Sequence, residues 1–174
     1  MASRGLKIDL KGNGLSAKGF RFAIVVSRWN DEFTSRLATA ARDRLRAAGA
    51  DENSIEIFEV PGAFELPLAC LKAAQSGDFD AVVALGVVIR GDTPHFDFVA
   101  GETASGIMSA SLQSGVPVMF GVITADNIEQ VEARVGDGED NKGFEAAVSA
   151  IEMASLMRSF KNRKGEDKAV PHVV

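Results

Sequence analysis

One of the two histidines of this chain lies directly after an apolar run, in a segment with the residue types that suit a phosphorylated ligand. His95 follows Gly91, which offers an accessible backbone, and Thr93, which offers a hydroxyl. Imidazole takes up and releases protons near neutral pH. A histidine on a surface loop can equally be inert, but a place beyond the carboxyl end of a parallel strand favours a catalytic role.

Two other loops after predicted strands hold side chains with alternative interpretations. Trp29, the only tryptophan, follows the first apolar run, where its ring could stack on a planar heterocycle or anchor the core under the loop. Glu65 lies in the first turn of a predicted helix, where a carboxylate could complement the helix dipole or accept hydrogen bonds from ligand hydroxyls.

A fourth loop, over residues 134–143, carries two cations. Arg134 and Lys142 suit phosphate recognition, although both could simply be solvated while Asn141 caps the last helix. The ligand spacing does not match a calcium loop, and no Gly-Lys-Ser/Thr phosphate loop is present.

Several chemistries are excluded by the sequence. It has no G-x-S-x-G nucleophile elbow and no dinucleotide fingerprint after the first strand. The single cysteine, Cys70, lies among apolar residues and is predicted to be core, and the two distant histidines make a poor metal site. A net charge of -5 disfavours nucleic acid. We therefore expect a small-molecule enzyme without a metal or cofactor.

Alternating apolar runs and amphipathic segments position these loops. The alternation predicts a parallel sheet with nearly all-apolar strands and helices on both faces, in a three-layer α/β/α sandwich. The predicted strands cover residues 22–27, 55–60, 81–89 and 116–122. The predicted helices cover residues 31–50, 63–75, 98–112, 127–135 and 143–160.

The predicted third helix is rich in small residues, including Gly101 and Gly106. Glycine inside a helix costs roughly 1 kcal/mol relative to alanine, so a close approach by another backbone is expected. Either the helix packs tightly on its own sheet, or it packs against copies of itself in an oligomer.

Length and composition predict one domain in 174 residues. We expect an N-terminal arm over residues 1–20, a domain over 21–160 and a C-terminal tail over 161–174. The absence of a membrane-length apolar stretch and of a secretory signal, together with the single cysteine, predicts a cytoplasmic protein without membrane partners.

Taken together, five short motifs resemble the lumazine synthase family. They follow one another in the family's order and spacing, and the resemblance spans roughly residues 20 to 160. The motifs are RWN at 28–30, VPGAFE at 60–65, GVVIRG at 86–91 with His95 following, PVMFGV at 117–122, and NKG at 141–143.

The resemblance implies a reaction in which the nucleophile belongs to a substrate. The amine of 5-amino-6-(D-ribitylamino)uracil attacks the ketone of 3,4-dihydroxy-2-butanone 4-phosphate, an imine forms, phosphate leaves, and ring closure gives 6,7-dimethyl-8-ribityllumazine in riboflavin biosynthesis. Holding two reactants in register supplies several kcal/mol without a catalytic serine, cysteine or lysine.

The resemblance also implies roles for individual residues. Trp29 would stack on the pyrimidine, Glu65 would accept ribityl hydroxyls, and His95 would shuttle protons. The other residues implied for the pyrimidine and ribityl chain are Asn30, Ala63, Phe64, Val87, Val88, Ile89 and, from the neighbouring subunit, Phe120. The residues implied for the phosphate are Gly91, Asp92, Thr93, Arg134 and Lys142.

At the level of assembly, the resemblance implies a flavodoxin-like fold and pentamers built around the third helix. The N-terminal arm would add a strand to a neighbour's sheet. The short segment 134–143 favours a shell of sixty subunits, and riboflavin synthase is a candidate partner. Two rival functions use the same fold, a flavin-binding module with little turnover and an assembly protein without chemistry. A phosphorelay receiver is discounted, because the third strand lacks an acceptor aspartate.

Overall fold

The computed structural model describes residues 14–166, and of residues 163–166 it describes the helical backbone alone. Most of the predicted N-terminal arm (residues 1–13), including any strand it adds to a neighbour, lies outside the described residues. So do residues 167–174, with His172, at the end of the predicted tail.

The chain alternates strands and helices as the sequence predicts. The strands are β1 (Phe22–Ser27), β2 (Ile55–Val60), β3 (Ala81–Ile89) and β4 (Val118–Ala125). The helices are α1 (Asp31–Ala47), α2 (Leu66–Gln75), α3 (His95–Ser114), α4 (Ile128–Glu132) and α5 (Lys142–Glu166).

The four strands form one parallel sheet in the order β2-β1-β3-β4. The chain runs outward from β1 to β2, then crosses back over β1 to β3 and β4. The order therefore reverses between β1 and β3, and such switch points are where open α/β sheets bind ligands.

Each face of the sheet is covered by helices, which confirms the predicted three-layer sandwich. Phe22, Ile24 and Val26 of β1 join the core that includes residues of α1 and α5. The alternate residues Ala23 and Val25 join the core that includes residues of α2 and α3. Burial on both faces explains why the central strands β1 and β3 are apolar at nearly every position rather than at every second one.

The structure corrects several predicted boundaries. Helix α2 starts at Leu66, after a 3₁₀ turn over Ala63–Glu65. Helix α3 starts at His95 rather than at residue 98. The sequence does not indicate this first turn, because its apolar residues Phe96 and Phe98 are two positions apart, which is not helical spacing. Its Pro94 carbonyl accepts the Asp97 amide at 3.0 Å. His95 is thus the first residue of a helix, not a loop residue.

Three more elements, all in the C-terminal part of the chain, have bounds that differ from the predicted ones. Strand β4 covers Val118–Ala125 instead of 116–122, because the Val116 carbonyl accepts the Ser111 hydroxyl of α3 at 3.1 Å and Pro117 has no amide hydrogen. Helix α4 is shorter than predicted, and Asn127 caps it by accepting the Gln130 amide at 2.9 Å. Helix α5 extends to Glu166 through polar turns that carry no apolar pattern.

Residues just before β1 pack into the fold. Ala17 and Phe20 are buried in the core. Arg158 of α5 lies over the Phe20 ring, 3.5 Å from its centroid, and donates a hydrogen bond to the Gly19 carbonyl at 2.7 Å. The C-terminal helix therefore fixes the point where the N-terminal segment enters the sheet.

The two glycines of α3 have different surroundings. A Cβ at Gly106 would lie 2.7 Å from the ring of Pro67, so this glycine allows α2 and α3 to pack closely within the chain. Gly101 has nothing within 4 Å of the same position and is exposed. The helix also exposes Phe98, Met108 and Leu112. Close packing within the chain thus accounts for Gly106, and packing of α3 against copies of itself stays a prediction.

Candidate active site

A pocket of about 230 Å³ opens at the switch point, between the carboxyl ends of β1 and β3 and the start of α3. Its lining combines apolar surface with a few polar groups, as is usual for small-ligand sites. All of its residues except Phe96 and Val99 are predicted site residues. The lining is Trp29, Asn30, Ala63, Val87, Val88, Ile89, Gly91, Thr93, His95, Phe96 and Val99.

Trp29 is held by its backbone while its ring stays accessible. Its amide donates to the Pro61 carbonyl at 3.0 Å, and the preceding Arg28 amide donates to the Val60 carbonyl at 2.9 Å. A Cβ at Gly62 would lie 2.8 Å from the indole, so only glycine lets the ring lie there. With 66% of its surface exposed, Trp29 is not the core anchor that the sequence left open.

Asn30 connects β1, α1 and β3 at this pocket. It adopts the left-handed conformation with φ 62°, where Asn is among the few side chains tolerated. Its side-chain amide donates to the Val87 carbonyl at 3.0 Å. Its own carbonyl accepts the Phe33 and Thr34 amides and so starts α1. The turn thereby fixes the direction in which the preceding Trp29 projects.

Glu65 caps the 3₁₀ turn at the edge of the pocket. Its Oε2 accepts the Gly62 amide at 2.8 Å. This contact supports the local structural role weighed from the sequence and leaves Oε1 without a hydrogen bond among those described. Phe64, beside it, is exposed. Neither these two residues nor Asp92 line the pocket directly.

The segment that carries His95 is anchored by Arg90. The guanidinium donates to Asp126 at 2.8 Å and to Asp97 at 3.1 Å, and it lies 4.1 Å from the centroid of the Phe96 ring. The hydrogen bond to Asp126, followed by that to Asp97, raises the pKa of Arg90 above its usual value, although partial desolvation opposes the shift. The sequence does not reveal this role, because Asp126 lies 36 residues further along the chain and the two charge pairs follow no periodicity.

Phe120, Arg134 and Lys142 lie in a different pocket of the same chain, of about 260 Å³, at the outer edge of β4. Phe120 is half exposed. Arg134 donates to the Gln130 carbonyl at 2.7 Å, its carbonyl accepts the Lys142 amide at 2.9 Å, and Lys142 pairs with Glu145. One chain therefore brings these cations together but does not bring them to Thr93 and His95.

Other features of the described chain do not add to the site. A larger cavity of about 460 Å³ lies between α1 and the segment before α5, lined by none of the predicted site residues. Burial raises the pKa of Cys70 to about 12, which fits the predicted core role. Within residues 14–166, no cluster of three or more His, Cys, Asp or Glu side chains could hold a metal ion, and no described helix is long and apolar enough to cross a membrane.

A doubly covered parallel sheet with a mixed polar and apolar pocket at its switch point defines an α/β small-molecule enzyme. A sequence model described as 6,7-dimethyl-8-ribityllumazine synthase matches residues 19–158. The chain belongs to this family. The predicted resemblance and enzyme class are confirmed.

Individual relatives agree with the family match. A 6,7-dimethyl-8-ribityllumazine synthase of Chlorobium phaeobacteroides is 52% identical over 146 residues, covering 84% of this chain and 94% of the relative. That of Chlorobium luteolum is 52% identical over 145 residues, covering 83% and 94%. That of Desulfatibacillum aliphaticivorans is 51% identical over 147 residues, covering 84% and 95%.

Proposed function

We propose that this chain condenses 5-amino-6-(D-ribitylamino)uracil with 3,4-dihydroxy-2-butanone 4-phosphate to 6,7-dimethyl-8-ribityllumazine, releasing phosphate and water. Family membership supports this reaction. The structural observation that carries it is the pocket in which Trp29, Thr93 and His95 meet. A stacking ring, a phosphate-binding hydroxyl and a proton carrier in one pocket suit a heterocyclic amine and a phosphorylated ketone.

The pyrimidine lies on the exposed indole of Trp29, with its edge against the backbone of Val87, Val88 and Ile89. Asn30 supports this arrangement, since its amide already holds the Val87 carbonyl at 3.0 Å. The ribityl chain extends over Ala63 and Phe64. Glu65 accepts ribityl hydroxyls through Oε1, because its other oxygen caps Gly62.

The phosphorylated substrate lies near Gly91, Asp92 and Thr93. The substrate amine is the nucleophile, so the protein supplies orientation and proton transfer. His95 removes and returns protons as the carbinolamine loses water to form the imine and as phosphate is eliminated. Ring closure and loss of a second water then complete the lumazine.

The complete site is shared between two subunits. Phe120, Arg134 and Lys142 occupy their own pocket in one chain, and we propose that they cover the Trp29 pocket of a neighbour. The size of the Trp29 pocket supports a shared site, because its volume of about 230 Å³ is below the roughly 300–1,000 Å³ of usual ligand sites. Arg134 and Lys142 then neutralise the phosphate as it leaves.

We propose pentamers as the unit of assembly, with α3 at their centre. The exposed Phe98, Met108 and Leu112 of α3 and the half-exposed Phe58 of the edge strand β2 support packing against neighbours. The arm of a neighbour would extend the sheet at β2. A shell of sixty subunits, a cytoplasmic location and an association with riboflavin synthase complete the proposal.

The test is formation of fluorescent lumazine above the uncatalysed background by purified protein. We expect His95→Ala to lower kcat by about 10²-fold or more, with the affinity for the pyrimidine retained. Arg134→Ala should raise KM for the phosphorylated substrate far more than for the pyrimidine. Co-assembling equal amounts of the two impaired variants at random should restore about a quarter of wild-type sites, because a shared site draws His95 and Arg134 from different subunits.

Each outcome decides one part of the proposal. Mixed assemblies that are no more active than the average of the two single variants would place His95 and Arg134 in the same subunit's site. Equal effects of Arg134→Ala on both substrates would remove its phosphate role. An assembled wild-type protein that binds flavin tightly but forms no lumazine would be a binding module instead of an enzyme.

A further inference from the structure

Arg90, the residue directly after β3, connects β3, the end of β4 and the first turn of α3, which meet beside the Trp29 pocket. Its own amide donates to the Ala125 carbonyl of β4 at 2.9 Å. Its Nε donates to Asp126, just beyond β4, at 2.8 Å. Its Nη1 donates to Asp97, in the first turn of α3, at 3.1 Å. The guanidinium plane also packs on Phe96, which lines the substrate pocket.

The segment that Arg90 spans has few contacts of its own. Residues 91–95 are all exposed. A Cβ at Gly91 would have nothing within 4 Å. Within this segment the described side-chain hydrogen bond is the long one from the His95 amide to the Thr93 hydroxyl, at 3.4 Å. Its geometry is therefore set by what holds its two ends.

We propose that Arg90 is a positioning residue for catalysis, which fixes Thr93 and His95 by clamping the start of α3 to the end of β4. Its effect on turnover rests on the proposed function, whereas its effect on the loop does not. Arg90 holds one carboxylate of α3 and one just beyond β4, so that losing either contact lets His95 move relative to Trp29 and the bound pyrimidine.

The shape of the side chain explains why this position needs arginine. A planar guanidinium can donate to two carboxylates in fixed directions while stacking on a ring, and an ammonium group cannot reproduce this geometry. Exposed ion pairs contribute little to stability. Replacing Arg90 should therefore leave the fold intact and change the position of the loop.

Hydrogen exchange tests the clamp without any assay of activity. We expect the Asp97 amide, which donates to the Pro94 carbonyl in the first turn of α3, to exchange several-fold faster in the assembled Arg90→Ala variant than in the wild type. Asp126→Asn should have the same effect to a smaller extent, because it removes one side of the clamp. The matched control is Arg46→Ala, which removes an exposed ion pair with Glu52 away from the Trp29 pocket.

Kinetics test the consequence for turnover. Arg90→Ala should lower kcat by about 10- to 100-fold, since small misplacements of catalytic groups have costs of this size. Binding of the pyrimidine, followed by quenching of the single tryptophan, Trp29, should stay unchanged. Arg90→Lys should restore little of the rate, and Asp126→Asn should share part of the loss.

A direct contact between Arg90 and phosphate would give a different pattern. Arg90→Ala would then raise KM for the phosphorylated substrate without faster exchange, and Asp126→Asn would keep the wild-type kcat. Either result would overturn the positioning role. If the wild-type protein formed no lumazine, the proposed function would fail, while the exchange rates would still decide whether Arg90 holds the loop.

Discussion

At the scale of single residues, Cys70 shows how burial alone determines the behaviour of a reactive group. The thiol lies on α2 within the core that covers one face of the sheet and is fully buried. Burial disfavours the thiolate and raises the pKa of Cys70 from 9.0 to about 12. The native protein therefore keeps the proton over a pH range in which the unfolded chain loses it.

This difference predicts how stability changes with pH. Because the native pKa is the higher one, the thiol's contribution is fully present below pH 9 and is lost as pH rises from 9 towards 12. Relative to Cys70→Ala, the wild-type protein should lose about 1.4 kcal/mol per pH unit above pH 9. Thermal unfolding of both proteins, at equal subunit concentration and over a series of pH values, measures this loss of stability. The same dependence of stability on pH in both proteins would contradict the prediction.

At the scale of elements, the start of α5 depends on a close contact with α1. A Cβ on Gly143 would overlap the carbonyl of Leu37. The buried Asn141 fixes this junction, since its Oδ1 accepts the Gly143 amide at 2.8 Å and its Nδ2 donates to the Gly136 carbonyl at 2.9 Å. The same junction places Lys142 beside Arg134.

The contact predicts a large cost for a small substitution. Alanine is the better helix former by about 1 kcal/mol, yet Gly143→Ala should destabilise the protein by about 2–3 kcal/mol, because α1 and α5 must separate. Denaturant unfolding measures the difference. Gly136→Ala is the control, since a Cβ there would have nothing within 4 Å. Equal stability of the two variants would refute the steric explanation.

Comparison of elements also shows what the sequence could predict. Strands β1, β2 and β3 have their predicted bounds. Strands β1 and β3 are almost wholly apolar runs between polar residues, and β2, which carries Glu56 and Glu59, ends at Pro61 and Gly62. The start of α3 was missed because Phe96 and Phe98 in its first turn are two positions apart, which is not helical spacing. The Arg90 network was missed because Asp126 lies far along the chain, and charge pairs across loops leave no periodic signal. The residue types of the pocket were predictable, whereas their division between two pockets depends on the fold.

At the scale of the whole molecule, α3 has one exposed face that can be changed with little effect on the fold of the single subunit. Gly101 lies on this face with open space around it, whereas Gly106 packs against Pro67 of the same chain. A large side chain at residue 101 therefore affects the single subunit little. It should interfere with a neighbour if α3 lies at the centre of a pentamer.

We expect Gly101→Leu to weaken subunit association by at least about tenfold, with the far-UV circular dichroism of the wild type retained. Light scattering measures the mass. Arg46→Leu, which adds the same side chain to the exposed end of α1, should keep the wild-type mass. A Gly101→Leu protein with unchanged mass would remove α3 from the subunit interface.

The contact of Arg158 with Gly19 and Phe20 has a consequence for how the chain can be rearranged. It joins the segment before β1 to α5 at the amino ends of the strands, on the side opposite the Trp29 pocket. Folds whose ends lie close together tolerate circular permutation. A short linker from α5, just beyond Arg158, to the segment before Gly19 should allow the chain to be opened at an exposed turn such as that around Gly77, without separating Trp29 from His95.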